Sequence, residues 1–294
     1  MYRFYDIAHM GTRTTICDLA EMPASGRKIV AVSCYDYTTA RLVAQAQVDL
    51  ILVGDSAAQV VLGHDSTLPA TMDFMVAITA AVRRGAPDVY LVADMPFLSY
   101  QVGVGEAVRN AGRFVAEAGA QMVKIEATAA QLSVVRAVSD AGMAVMAHIG
   151  IRPQQIGKVG RFRAEATTAE MATDLITLAW RMVEAGASML LLEGTAAEVA
   201  KIVTESVPVP VISCGSGSDC DGQILIAPDI LGLTEGRLPK FSRAYADGAR
   251  ITIEALNTYS QQVKSGQFPD HDHSYHMKPG ELDRLRTLLE QPRT

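Results

Sequence analysis

Short, almost unbroken apolar runs recur along the chain, separated by stretches of helical period. The runs are Lys28–Ser33, Leu50–Gly54, Val89–Ala93, Met122–Ile125, Ala144–Ala147, Met189–Leu192, Val209–Ser213 and Ile224–Ala227. A strand wetted on one face alternates apolar and polar residues; a continuous apolar run marks a strand covered on both faces. The intervening stretches Thr38–Gln47, Met72–Arg84, Val104–Ala118, Ala129–Ala141, Thr168–Ala185 and Ala196–Ser206 predict amphipathic helices. Several end at a glycine (Gly85, Gly119, Gly142, Gly186), the residue that most easily takes the left-handed backbone that stops a helix.

Successive strand–helix units predict an α/β protein, a single (β/α)8 barrel of the TIM type. The alternative, a doubly wound open sheet, calls for a glycine fingerprint after the first strand, where the chain reads Cys34-Tyr35-Asp36-Tyr37. The expected organisation is an N-terminal extension over 1–27, with a helix beneath the barrel, the catalytic barrel over 28–243, and a C-terminal segment over 244–294. That last segment reads as a helix over 244–264 and a polar tail over 265–294.

Composition narrows the class. The chain has 294 residues, 49% hydrophobic and 20% charged, as a globular protein with a large core requires. Its formal net charge of −6 argues against a nucleic-acid partner, which calls for a basic face. No apolar run reaches the roughly 18 residues of a membrane span. Residues Met1–Met10 carry Arg3, Asp6 and His9 and lack the apolar core of a signal peptide, so the expected location is the cytoplasm, with no membrane partner. Cys17, Cys34, Cys214 and Cys220 form no CxxC pair and read as free thiols.

The chemistry of such a barrel lies at the C-terminal ends of its strands. There the chain places Asp36, Asp55-Ser56, Asp94, Lys124-Ile125-Glu126, His148 and Glu193, and the seventh run leads into Gly215-Ser216-Gly217. A charge at the end of a buried strand is costly unless paired or bound to a metal, and a packed barrel has no structural need for a ring of them. The carboxylates Asp55, Asp94 and Glu126, without clustered cysteines, suit a hard divalent ion such as Mg2+. Such an ion accepts the two oxygens of an α-keto acid and stabilises its enolate. Lys124, on the same side of its strand as Glu126, is placed to neutralise the substrate carboxylate. Glu193 is left as candidate general base, and His148 as a further substrate contact.

At these residues the chain resembles the 3-methyl-2-oxobutanoate (ketopantoate) hydroxymethyltransferase family. The matching stretches include Tyr35-Asp36-Tyr37, Val53-Gly54-Asp55-Ser56, Gly63-His64-Asp65-Ser66-Thr67-Leu68-Pro69, Ala93-Asp94-Met95-Pro96-Phe97, Met122-Val123-Lys124-Ile125-Glu126, His148-Ile149-Gly150 and Leu192-Glu193. The resemblance implies that Asp55, Asp94 and Glu126 ligate magnesium, that Asp55, Ser56, Asp94 and Lys124 contact the keto acid, and that Glu193 is the proton acceptor. It implies transfer of a one-carbon unit from 5,10-methylenetetrahydrofolate to 2-oxoisovalerate, giving 2-dehydropantoate for pantothenate biosynthesis. It also implies a cytoplasmic homo-oligomer, commonly a decamer.

Four loop stretches depart from the family pattern: the shorter 152–161, Ser213-Cys214-Gly215-Ser216-Gly217, Gly194-Thr195-Ala196 and Gly236-Arg237-Leu238-Pro239-Lys240-Phe241. A paralogue using another keto acid or carbon donor on the same metal–enolate chemistry is therefore the alternative function. A lyase or mutase of the phosphoenolpyruvate mutase/isocitrate lyase type is a second alternative, although that group's catalytic cysteine loop is absent. The segment Asp270–His276 is metal-binding by composition but reads as ordered or solvated tail.

Overall fold

The computed structural model describes residues 13–290. Its strands are β1 (Ile29–Ser33), β2 (Leu50–Val53), β3 (Tyr90–Asp94), β4 (Met122–Glu126), β5 (Ala144–Gly150), β6 (Met189–Glu193), β7 (Val211–Cys214) and β8 (Gly222–Ile226). They pair in parallel in sequence order, and β8 pairs with β1 to close the barrel. This is the expected (β/α)8 fold.

Alternation along the strands divides the core in two. Side chains facing the barrel axis, among them Ile29, Leu50, Tyr90, Met122, Met146, Met189 and Ile212, form one buried cluster. Their sequence neighbours, such as Ile51, Leu91, Val123, Val145 and Leu190, face outward into a larger cluster with the surrounding helices. The predicted helices are present, as Tyr37–Gln45, Met72–Gly85, Val104–Ala116, Leu132–Asp140, Ala169–Glu184 and Ala197–Ser206. The expected helix start at Ala129 is a 3-10 turn over Ala129–Gln131 that leads into the α-helix.

The floor of the barrel is the helix Ile16–Ala24. Thr15 caps it: its hydroxyl accepts from Asp18 N, while Thr15 N donates to Asp18 Oδ2 at 2.8 Å, satisfying two end groups reciprocally. Leu19 and Met22 then enter the inner cluster beneath the strands. The part of the expected extension over residues 1–12 lies outside the described residues.

The last two strands begin elsewhere than expected. Residues 209–210 fall outside β7, because Pro208 and Pro210 have no N–H to give a ladder. The eighth strand starts two residues earlier, at Gly222, which lies opposite Ile29 across the closing seam. A Cβ at Gly222 would stand 2.5 Å from the Ile29 carbonyl oxygen and 2.8 Å from its Cβ.

The chain divides into two compact units between Tyr245 and Ala246. The second contains the helix Gly248–Ser265, capped by Asp247, and a further helix, Glu281–Glu290, where a polar tail was expected. Leu282, Leu285, Leu288 and Leu289 recur there at helical spacing within an otherwise polar segment. Between them, Asp270 Oδ1 accepts from His273 N at 3.0 Å, and His276 Nε2 lies 3.0 Å from the His271 carbonyl oxygen, an ordered local turn.

The seam yields a stability prediction. Gly222→Ala should destabilise the barrel by about 1–3 kcal/mol, the usual cost of overpacking, read as a lower urea midpoint. An unchanged midpoint would show that the seam relaxes freely.

Candidate active site

Register brings the charged strand ends together. Asp94 lies opposite Lys124 in the β3–β4 ladder, Glu126 opposite His148 in β4–β5, and Gly150 opposite Glu193 in β5–β6. Because Lys124 and Glu126 are two residues apart on one strand, both face the axis above Met122. Asp55 follows β2, and its backbone N–H donates to Asp94 Oδ2 at 2.9 Å. Asp55, Asp94, Lys124, Glu126 and His148 are all buried, while the Glu193 side chain keeps one-fifth of its surface exposed.

Lys124 is the hub of the ring. Its Nζ lies 2.9 Å from Asp94 Oδ2 and 3.2 Å from His148 Nδ1. Burial works against its charge, but Asp94, Glu126 and Asp55 outweigh burial and raise its pKa, so the ammonium persists. Burial raises the Asp94 pKa above the ordinary carboxylate range, with the Lys124 ammonium opposing. Burial, and then Lys124, lower the pKa of His148. A neutral imidazole accepts from Lys124 at Nδ1 and so carries its proton on Nε2. Nε2 stands 3.3 Å from Glu193 Oε2, outside hydrogen-bonding geometry.

Two residues that the sequence reading did not single out complete the mouth. Gln154, buried in the turn after β5, donates through Nε2 to Asp55 Oδ2 and to the Met95 carbonyl, both at 2.9 Å, and through its backbone N–H to Glu126 Oε2 at 3.0 Å. Tyr100 OH donates to Gln154 Oε1 at 2.7 Å. Neither residue ends a strand, and a lone Gln or Tyr in a loop carries no spacing signal. Ser56 Oγ lies 2.8 Å from Tyr35 OH.

A cavity of about 200 Å3 opens among these groups, below the usual range for a drug-sized ligand and suited to a small acid. Asp55, Ser56, Asp94, Lys124, His148 and Glu193 all line it, with Leu191, Cys214 and Phe241 as apolar walls. Glu126 stands behind, on a neighbouring cavity shared with Tyr100 and Gln154. Burial, and then Glu193, raise the Cys214 thiol well above its ordinary pKa, so it stays protonated.

The three carboxylates offer hard oxygen donors. Asp94 Oδ1 and Glu126 Oε1 are buried without a hydrogen-bond partner, and Asp55 is engaged through Oδ2. Orphaned buried oxygens on carboxylates fit a divalent cation as their missing partner. Among the described residues, no three His, Cys, Asp or Glu side chains are gathered closely enough to hold one ion as they stand.

A closed barrel whose open end surrounds a small cavity with carboxylates, one buried ammonium and a neutral imidazole is the framework of an enzyme acting on a small acid. Residues 13–271 match the sequence model of the ketopantoate hydroxymethyltransferase family, and the chain belongs to that family. It is 42% identical to the 3-methyl-2-oxobutanoate hydroxymethyltransferase of Carboxydothermus hydrogenoformans, over 93% of this chain and 99% of the relative. It is 44% identical to that of Moorella thermoacetica, over 90% of this chain and 98% of the relative. The chain is accordingly a hydroxymethyltransferase of this type.

Among solved structures, the barrel is similar to a phosphoenolpyruvate phosphomutase from Streptomyces platensis subsp. rosaceus, with a TM-score of 0.58 and 16% identity over 94% of this chain and 95% of the other. It is also similar to phosphonopyruvate hydrolase in complex with oxalate and Mg++, with a TM-score of 0.56 and 14% identity over 93% and 97%. At these identities the likeness shows the fold. No helix among the described residues is long and apolar enough to cross a membrane.

His148 makes stability depend on pH. Its folded pKa lies below the ordinary 6.5, so the unfolded chain takes up the proton first. The contribution is complete above about pH 6.5 and is lost as pH falls through the folded value. The urea midpoint should therefore drop more steeply below pH 6.5 in the native protein than in His148→Gln; equal slopes would show that the ring is not held neutral.

Proposed function

We propose that the enzyme transfers the one-carbon unit of 5,10-methylenetetrahydrofolate to C3 of 2-oxoisovalerate, with water supplying the hydroxyl, to give 2-dehydropantoate and tetrahydrofolate. The observation that carries this reading is that the Lys124 ammonium on β4 and the part-exposed Glu193 carboxylate on β6, which flank His148 on β5, line one small cavity. Asp55, Asp94 and Glu126 would hold the divalent cation, Mg2+ by their donor chemistry. When bound, that ion supplies Lewis-acid stabilisation of the charge that develops on the keto oxygen.

The chain's own residues divide the remaining work. Lys124 receives the substrate carboxylate, and Ser56, held by Tyr35, adds a hydroxyl beside it. Glu193 takes the proton from C3; the C–H electron pair becomes the C2–C3 double bond, and the charge moves to the C2 oxygen. Water releases the donated carbon as formaldehyde: both C–N bonds to it break, its oxygen comes from the water, and the two water protons go to the folate nitrogens. The enolate pair then returns through C3 to form the new C–C bond to that carbon, while the carbonyl pair of formaldehyde moves to its oxygen, which takes the proton held by Glu193 and becomes the product hydroxyl. His148, which accepts from Lys124 at Nδ1, places its Nε2 3.3 Å from Glu193 Oε2, beside the carboxylate that takes the proton. Leu191 and Phe241 border the pocket with apolar surface suited to the isopropyl group.

The same reading takes the enzyme as a cytoplasmic homo-oligomer. Support for the assembly is the exposed apolar surface of Ile251, Leu256 and Tyr259 on the helix Gly248–Ser265. Light scattering at micromolar concentration should give a mass well above one chain; a clean monomer would remove this part of the reading.

Proton exchange tests the chemistry. 2-Oxoisovalerate in heavy water with Mg2+ should lose its C3 proton without folate, and product should form only when methylenetetrahydrofolate is added. Exchange with another keto acid but not with this one would favour a paralogue of altered specificity. Glu193→Gln should slow exchange and turnover by about 10²–10⁴-fold, the usual contribution of a general base, with Mg2+ affinity retained. Collapse of metal affinity in that variant would make Glu193 a ligand instead.

A further inference from the structure

We propose that Gln154 is a positioning residue that holds the metal-facing carboxylates in register, with Tyr100 locking its amide; the inference rests on the divalent-cation reading above. Gln154 ties the end of β4 to the loops that follow β2 and β3. Its side-chain N–H groups reach Asp55 after β2 and the Met95 carbonyl after β3, and its backbone N–H reaches Glu126 at the end of β4. Pro153 precedes it at the first position of a 3-10 turn, where a fixed φ pre-sets the backbone.

The pattern of engaged and free oxygens gives the contacts their meaning. Asp55 is held through Oδ2 and Glu126 through Oε2, both by Gln154. Asp94 is held through Oδ2, by Lys124 and the Asp55 N–H. The other oxygens of Asp94 and Glu126 are buried and unpartnered. Protein donors thus occupy one oxygen of each carboxylate and leave the second to a ligand, as outer-sphere groups do around a metal.

The amide has one allowed orientation. Turned over, Oε1 would face the Asp55 carboxylate and the Met95 carbonyl, two acceptors with no proton between them. In the orientation present, Oε1 accepts from Tyr100 OH at 2.7 Å and from Gln101 Nε2 at 3.3 Å, and the Tyr100 hydroxyl also lies 3.2 Å from the Glu126 carbonyl oxygen. Tyr100 is itself buried, and burial, then the Glu126 charge, raise its pKa, so the hydroxyl remains a donor. Tyr100 therefore acts on Asp55 through Gln154.

The test is metal binding by the whole protein, measured by calorimetry with Mg2+ and with Ca2+ separately from turnover. Gln154→Leu keeps the backbone donor to Glu126 and removes the amide. It should weaken Mg2+ by about 10–100-fold, the usual loss for an outer-sphere partner. Ca2+ should weaken by less, because Mg2+ demands near-ideal octahedral geometry and Ca2+ tolerates irregular sites. General damage to the site would lower both alike. Tyr100→Phe should shift Mg2+ in the same direction by a smaller factor, and should cost less in the Gln154→Leu background, where only its contact with the Glu126 carbonyl remains to be lost, than in the native one.

Mg2+ affinity within twofold of native in both single variants would overturn the proposal, as would equal losses for the two ions. If Gln154→Leu fails to fold, Tyr100→Phe alone decides by the same selectivity ratio. A native protein that binds neither ion overturns the metal reading and this inference with it. Native binding with unaltered variants overturns the inference alone.

Discussion

Parallel closure of eight strands turns every second side chain toward an axis that water does not reach, and at the upper layer of this barrel those side chains are Asp94, Lys124, Glu126 and His148. A single charge placed there would carry a desolvation penalty of several kcal/mol. The Asp94–Lys124 contact at 2.9 Å is what makes the layer possible. The ammonium offsets the carboxylates, and burial, with the ammonium beside it, lowers the pKa of His148. Remove that cation and the layer becomes a cluster of buried carboxylates with no counter-charge.

A hydrophobic layer would be cheaper. The layers below show it: Val92, Met146 and Leu191 fill the same axis with apolar surface, and Leu19 and Met22 seal the floor. The division is spatial. Stability comes from the lower layers and the outer helix–sheet cluster, and the upper layer carries a polar arrangement whose oxygens are incompletely satisfied. Such unsatisfied groups survive where the surrounding fold over-determines them, which is why they mark function.

Legibility in the sequence followed the same division. Continuous apolar runs reported the strands because both faces are covered, and strand ends reported the ring because alternation fixes their direction. Asp55, Asp94, Lys124, His148 and Glu193 were readable for that reason, and all line one cavity. Gln154 and Tyr100 were not readable. Each is brought to the mouth by a loop, and loop paths follow no period; only the three-dimensional meeting of residues 154 and 55 shows what the amide does. The helix Glu281–Glu290 was masked differently, because its leucines are few enough that polar composition outweighed their spacing. The start of β8 depended on the fit of Gly222 against Ile29, a packing relation between opposite ends of the barrel.

That seam also orders events during synthesis. β1 is among the first strands to be made, yet one of its two edges stays unpaired until Gly222 arrives, nearly two hundred residues later. Until then the emerging chain carries two open edges, at β1 and at its newest strand, each a row of unsatisfied backbone donors and acceptors able to pair with another chain. Long-range pairing of this kind slows folding and lengthens exposure to aggregation. The small residue at position 222 lets the final strand seat against Ile29 without prying the first one open.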